Sequence, residues 1–339
     1  MRRLGLLPLL LATVTLAACG GSDDDSTPAT AGTGTTAARA TDGFPVTVTH
    51  ARGTTEIPSE PKRVVTVGLR DQDTLLALGV KAVGAMDWFQ QDTFAKWPWE
   101  DWGGTPPEIV STGGFEVNFE RVAAARPDLI LGVYQDISKG DYEKLSQIAP
   151  TVAQSPKYKA YTTPWREETR TIAKSVGRTA AADRLIEDVD ARFQKVREEH
   201  PEYRGKEAVV VDPSSTYAFS STDPRGQFLK ELGFAGSPSI DKLAKGEFGL
   251  SLSDEQLTAL DVDKLFLLVD AKGGEKVLDN PLFKRLDVVK RGDVVKVPYY
   301  DKPQTGAAIA FNSVLSLPYA IDGTVKLITE NEAQKQAQR

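Results

Sequence analysis

From about residue 44 onward, short apolar runs alternate with stretches whose apolar residues recur every three to four positions. The runs at 63–67, 82–86, 129–133, 151–153, 208–211, 264–269 and 294–297 are short and β-branched or leucine-rich, and they predict strands. Helical spacing falls between them, at 71–78, 118–126, 141–148, 225–232, 253–260 and 312–332. Strands alternating with helices predict an α/β fold built on parallel sheets.

The middle breaks the alternation. From Pro164 to His200 the pattern is purely helical, with Gly177 as a break and Pro201 as a stop. The second piece, 179–199, sets Ala182, Leu185, Ile186, Val189, Phe193 and Val196 on one face. At 1.5 Å per residue it spans about 30 Å, the diameter of a small domain. This divides the chain into an N-terminal α/β lobe at 44–163, a helical connector at 164–201 and a C-terminal α/β lobe at 202–339.

The two lobes echo one another. VNFERVAAARPDLIL (117–131) and LSDEQLTALDVDKLF (252–266) align without a gap, each reading as a polar cap, a Glu two residues later, a short helix and an apolar strand. A fainter echo links DTLLALG in the first half with GQFLKELG in the second. Pseudo-symmetric lobes are expected.

Ahead of residue 44 the composition changes. Arg2 and Arg3 precede an apolar run at 4–16, too short to span a bilayer comfortably, so 1–18 reads as a signal peptide. Leu16-Ala17-Ala18-Cys19 resembles the bacterial lipobox, in which the thiol is lipidated and becomes the new N-terminus. Cys19 is the single cysteine of the chain and has no intrachain partner for a disulfide. The Gly-, Ser-, Thr- and Ala-rich segment that completes 19–43 has almost nothing large to bury and reads as a disordered tether. A flexible coil of that length has a root-mean-square span of roughly 25–30 Å. The expected location is the extracytoplasmic face of a bacterial membrane, facing periplasm or cell surface.

Charge and residue chemistry narrow the function. With 41 basic and 47 acidic residues, nucleic-acid binding has no support. The two histidines, His50 and His200, are too few and too poorly placed for a catalytic triad or a nitrogen-rich metal site. No Walker loop, nucleophile elbow or zinc helix is present, so neither an enzyme nor a resident metal or cofactor is expected.

Binding chemistry is better represented. All five tryptophans lie between Trp88 and Trp165, three of them in AKWPWEDWGG, a loop-like segment with Trp97 at its start. Ligands of open α/β sheets gather at the carboxyl ends of strands. That rule selects Arg70, Trp88, Tyr134, Tyr217, Tyr299 and Tyr300, with Tyr161, Trp165 and Arg166 near the lobe junction and Arg225 in DPRGQF.

PKRVVTVG with DTLLALGVKAVGA, NFERVAAARPDLILG, YEKLSQIAPTVA, NPLFKRLDVVKRGDVVKVP and FNSVLSLPYAID, in that order, resemble the iron–siderophore-binding proteins of ABC importers, a group that includes cobalamin and haem binders. The resemblance runs from about residue 61 to 327. It implies the class III substrate-binding fold: two α/β lobes, a cleft between them, and a stiff backbone helix. It also implies a ferric siderophore as ligand, with iron bound only in chelated form, and an ABC permease dimer as partner. Glu120 and Glu255, matched in the two echoed segments, align with the glutamates that face permease arginines in such proteins. A lipid-anchored monomer that feeds an importer is therefore expected. A haem or cobalamin carrier, or a surface lipoprotein that senses a ligand without transport, are the alternatives. Arginine suits such a cleft because its planar fork donates to chelate oxygens. A tris-catecholate complex favours several arginines, and a near-neutral hydroxamate complex needs mainly aromatic walls.

Overall fold

The structure is a computed structural model that describes residues 43–87, 96–112, 116–270 and 276–338. The expected signal peptide, Cys19 and the expected tether up to residue 42, together with Trp88, lie outside the described residues.

A hairpin of β1 (Val46–His50) and β2 (Gly53–Ile57) comes first. Its alternating pattern buries Val48 and His50, Thr55 and Ile57, and it caps the edge of the first sheet, where Ala51 N–H donates to Gln154 O at 2.8 Å. That sheet holds β3 (Val64–Thr66), β4 (Gly84–Asp87), β5 (Glu108–Thr112), β6 (Leu129–Gly132) and β7 (Thr151–Ala153) in the order β5-β4-β3-β6-β7, every pairing parallel. Between its strands run α1 (Asp71–Ala77), α2 (Phe119–Ala124) and α3 (Lys139–Ile148). Period-two alternation splits the core: Val64, Leu129 and Leu131 face α1, while Val65 and Ile130 face α2 and α3.

The connector comprises α4 (Trp165–Ser175) and α5 (Thr179–Glu199). Gly177, at φ 64°, turns the chain between them in a conformation that a side chain disfavours. Ala182, on the first turns of α5, packs in the N-terminal core, whereas Ile186, Val189, Phe193 and Val196 pack in the C-terminal one. One helix thus belongs to both cores.

The second sheet holds β8 (Ala208–Asp212), β9 (Tyr217–Phe219), β10 (Gly249–Ser251), β11 (Lys264–Val269) and β12 (Val294–Pro298) in the order β10-β9-β8-β11-β12. Its spatial order repeats that of the first sheet, and the echoed segments occupy matching places, each leading from an edge strand into a central one. Here the parallel arrangement expected from the strand–helix alternation holds for part of the sheet. A tight turn after β8 sends β9 back antiparallel, so β8-β9 and β9-β10 are antiparallel and only β8-β11-β12 is parallel. The fainter echo also fails topologically, because α1 joins two strands of a parallel pair whereas α6 (Pro224–Leu232) follows that hairpin. The helix expected at 253–260 is a 3-10 helix, Asp254–Leu260, in which Gln256 accepts from the Ser253 N–H at 3.1 Å.

Around this sheet lie α7 (Pro238–Ala244), α8 (Lys276–Asp279), α9 (Asp287–Lys290), α10 (Thr305–Phe311) and α11 (Leu317–Ala337). The long helix expected at 312–332 starts later, because Asn312, at φ 49°, ends α10 in the left-handed region that Asn tolerates better than most residues. Among the described residues no helix is long and apolar enough to cross a membrane.

Candidate binding cleft

The carboxyl ends of the central strands of both sheets come together at the lobe boundary. On the N-terminal side, β3 runs into Arg70 and Asp71. The Asp71 carboxylate accepts from the N–H groups of Val133 and Tyr134, at 2.7 and 3.0 Å, and so pins the end of β6 beside the end of β3. Burial pushes its pKa up to about 7. Tyr134 lies under the Arg70 guanidinium, 3.6 Å from its ring centroid, and donates its hydroxyl to Tyr161 O at 2.8 Å. Burial also raises the Tyr134 phenol, to about 12. Tyr161 meets Tyr134 edge-on at 6.0 Å and donates its hydroxyl to Gln135.

On the C-terminal side, Asp223 caps α6 by accepting from the Arg225 N–H at 2.8 Å, and it pairs with the Arg225 guanidinium at 2.9 Å. That guanidinium lies 4.1 Å over the Phe219 ring, which Tyr217 meets edge-on at 5.1 Å. Arg225 also hydrogen-bonds Tyr299, whose ring stands perpendicular to that of Tyr300 at 4.8 Å. Its Nε is buried with no hydrogen-bond partner. Tyr134 lies within electrostatic reach of both Asp223 and Arg225, so the two halves meet. A groove of about 570 Å³ continues along the lobe boundary from Asp136 and Tyr161 to Thr222 and Glu247.

Arg70 stands at the floor, 1% exposed. It donates to Glu168 of α4 from Nε and Nη2, at 2.9 and 2.8 Å, and to the carbonyl of Phe311 at the end of α10 from Nη1. Burial outweighs the Arg70 charge at Glu168 and holds that carboxyl above its usual range. Arg70 thus ties N-terminal lobe, connector and C-terminal lobe together.

Three expected site residues lie elsewhere. Trp97 is 3% exposed in the C-terminal hydrophobic core, stacked on Trp99 at 5.2 Å with Phe311 edge-on to both. Trp97 and Trp99 therefore pack into the core of the other lobe, while Trp99 keeps a hydrogen bond to Asp73 of its own. Trp165 is buried in that same core. Arg166 stacks over Trp165 at 4.2 Å and pairs with Asp190 and Glu231, fastening α4 to α5 and α6. Around the lobe boundary the structure instead brings together Arg70, Tyr134, Tyr161, Tyr217, Arg225, Tyr299 and Tyr300, and adds Phe219 and Asp223, which the sequence reading did not select.

Beside Arg70, the lobes are joined by a polar knot with no signature in the sequence. Asp73 accepts from Ser313 Oγ at 2.6 Å and from Trp99 Nε1 at 3.0 Å, and it shares a hydrogen bond with the Glu100 carboxyl. Burial and the neighbouring carboxylate keep Glu100 protonated at neutral pH. Both carboxyls sit on segments whose polarity suggests a solvated face.

Glu120 and Glu255 are exposed, each on the first turn of a helix that follows a sheet-edge strand. Asn118 caps the first of these helices, accepting from Arg121 N–H at 3.0 Å. The histidines are structural: His50 accepts from Arg52 N–H and meets Thr55 Oγ1 at 2.9 Å, and His200 stacks on Tyr203 at 4.8 Å. Among the described residues there is no group of three His, Cys, Asp or Glu placed to hold a metal ion.

Residues 64–300 match the family model described as periplasmic binding protein. The chain is 29% identical over 310 residues to the probable siderophore-binding lipoprotein YfiY of Bacillus subtilis, covering 86% of this chain and 89% of that one. It superposes on a periplasmic solute-binding protein of Mycobacterium smegmatis with a TM-score of 0.72 at 30% identity, covering 84% of this chain and 98% of that one. For PiaA of Streptococcus pneumoniae in complex with ferrichrome the TM-score is 0.67 at 27% identity, over 84% and 98% of the two chains.

Proposed function

The chain belongs to the periplasmic binding protein family, and from that premise we propose that it captures a ferric siderophore between its lobes and delivers it to an ABC importer. The observation that carries this reading is the gathering of arginines and tyrosines at strand ends of two sheets, beside an interlobe groove of about 570 Å³. Aromatic faces supply the apolar walls that a compact chelate buries. Relatives that bear siderophore names, and one neighbour solved with ferrichrome, support it.

The finer assignments belong to the same reading. Cys19 carries the lipid anchor, which holds a monomeric body at the extracytoplasmic face of the membrane. Glu120 and Glu255 dock the pseudo-symmetric lobes on the two subunits of a permease dimer. The role is binding and delivery, with no chemical step on the ligand.

Equilibrium binding to the purified mature protein tests the reading, with ferric siderophores of several classes, haem and cobalamin as ligands. Saturable binding of at least one ferric siderophore, tighter than haem and cobalamin, is expected. Binding of haem or cobalamin alone would overturn it.

A further inference from the structure

Tyr161 holds its backbone at φ 60°, in the left-handed region that is rare for a bulky aromatic residue. It is the third residue of a turn closed by the Thr162 N–H, which donates to the Lys159 carbonyl at 3.1 Å. Positive φ at that place in a turn normally selects Gly or Asn. The chain does use glycine in such a conformation nearby: Gly246, at φ 88°, lines the same groove from the C-terminal lobe.

The surroundings fix the strained residue at backbone and side chain. The Tyr134 hydroxyl donates to its carbonyl at 2.8 Å, its own hydroxyl donates to Gln135, and its ring meets Tyr134 edge-on at 6.0 Å. Gln135 is held in turn. It is 1% exposed, donates from Nε2 to the Val67 carbonyl at 3.1 Å, and accepts from the Asp136 N–H at 3.0 Å. Val67 follows β3 and the Tyr134–Gln135 pair lies just beyond β6, so the strand ends of the N-terminal sheet carry the Tyr161 ring.

Tyr161 is half-buried, at the border between the small Leu69, Met86 and Tyr134 cluster and the interlobe groove of about 570 Å³. The lining of that groove falls wholly within 116–270, a stretch described without interruption. Tyr158, 38% exposed, borders it from the N-terminal lobe, and half-buried Phe248 borders it from the other. Aromatic side chains of both lobes thus line one groove, and Tyr161 is the one held at carbonyl, ring and phenol.

Resting on the siderophore reading above, we infer that Tyr161 is the aromatic wall against which a ferric chelate packs in this groove, with Tyr134 and Gln135 as its positioning residues. The physical basis is pre-organisation. Strained backbone persists only where the surrounding structure over-determines it, and such residues cluster at ligand sites. A ring already fixed in its bound orientation loses little rotamer freedom when the ligand arrives, so the cost of placing it falls on folding and not on binding.

The test is equilibrium binding of ferrichrome and ferric enterobactin to the mature protein and to Tyr161→Phe, Tyr161→Ala and Tyr161→Gly, well below their melting temperatures. The chelate that binds wild type more tightly gives the readout. Tyr161→Phe keeps the ring and should stay within about fivefold of wild type. Tyr161→Ala and Tyr161→Gly remove it, and each should weaken binding about tenfold or more. Thermal melts separate ring from backbone: Tyr161→Gly should melt about 2–4 °C above Tyr161→Ala, because only glycine adopts this conformation freely. Binding by Tyr161→Gly within about threefold of wild type makes the ring a plug for the Leu69 and Met86 cluster, which overturns the inference and leaves the siderophore reading standing. Tyr161→Ala melting at or above Tyr161→Gly shows an unstrained backbone and overturns it as well. Wild-type protein that binds haem or cobalamin and neither chelate overturns both.

Discussion

Ser313, in the turn between α10 and α11, donates its hydroxyl to the Asp73 carboxylate of α1 at 2.6 Å, so a hydrogen bond between fully buried partners links the two lobes. Asp73 is otherwise held by Trp99 and Glu100, which arrive on the segment between β4 and β5. Three stretches remote in sequence thus converge on one carboxylate. Removing the hydroxyl leaves a buried acceptor short of a partner, at a cost of about 1–3 kcal/mol. Urea unfolding of Ser313→Ala should show that loss, and Ser313→Thr should recover part of it.

Glu100 is the second carboxyl of the knot. Its ordinary value of 4.5 is raised to about 10, first by burial and then by Asp73, to which the protonated acid donates. A carboxyl raised on folding contributes stability that is full below about pH 4.5 and is lost as the pH climbs toward the folded value. Glu100→Gln keeps a donor and cannot ionise. The stability of wild type relative to this variant should therefore fall between pH 5 and pH 9 in paired denaturation curves. Parallel pH profiles would show that Glu100 is already charged in the folded protein.

Glu168 holds Arg70 in a pair with both side chains at most 2% exposed. Glu168→Ala strands a buried guanidinium and should cost about 3–5 kcal/mol. Replacing both partners by apolar residues of similar size should cost much less than that single change, as a double-mutant cycle would reveal. Additive costs would mean that the two charges do not interact.

Trp97 and Trp99 lie in the C-terminal core, so their removal should act on stability. Trp97→Ala should cost about 3–5 kcal/mol. Siderophore affinity measured well below the melting point should change by less than about threefold, because neither ring lines the cleft. A large affinity loss with unchanged melting temperature would return them to the ligand.

The permease reading rests on exposed glutamates at matched places. Glu120→Arg with Glu255→Arg should retain fold and ligand affinity and abolish uptake, since charge reversal at a docking surface turns attraction into repulsion. Uptake at the wild-type rate by the anchored double variant would end that assignment.

How much of this was legible in the chain depends on the range of the interaction concerned. Seven strands, both connector helices and the register of the 117–131 and 252–266 echo follow from periodicity, because an apolar face must be buried whatever covers it. The hairpin at 46–57 was not among the expected strands, although its alternation of buried and exposed positions is of the same kind. Tyr134, Tyr299 and Tyr300 were legible as candidates because they follow strand ends, where ligand sites of α/β folds gather.

The amino-acid sequence by itself determined the alternation of elements, the long shared helix and the chemical character of the strand ends, all of which depend on residues near one another in the chain. Tertiary structure alone decided the rest. It sent Trp97 across to the opposite lobe, turned Arg166 toward Asp190 and Glu231, gave Arg70 to Glu168 and Phe311, and reversed β9. These outcomes depend on partners up to 241 residues apart, as for Arg70 and Phe311, and a buried charge or ring takes its role from whichever partner the fold places within reach.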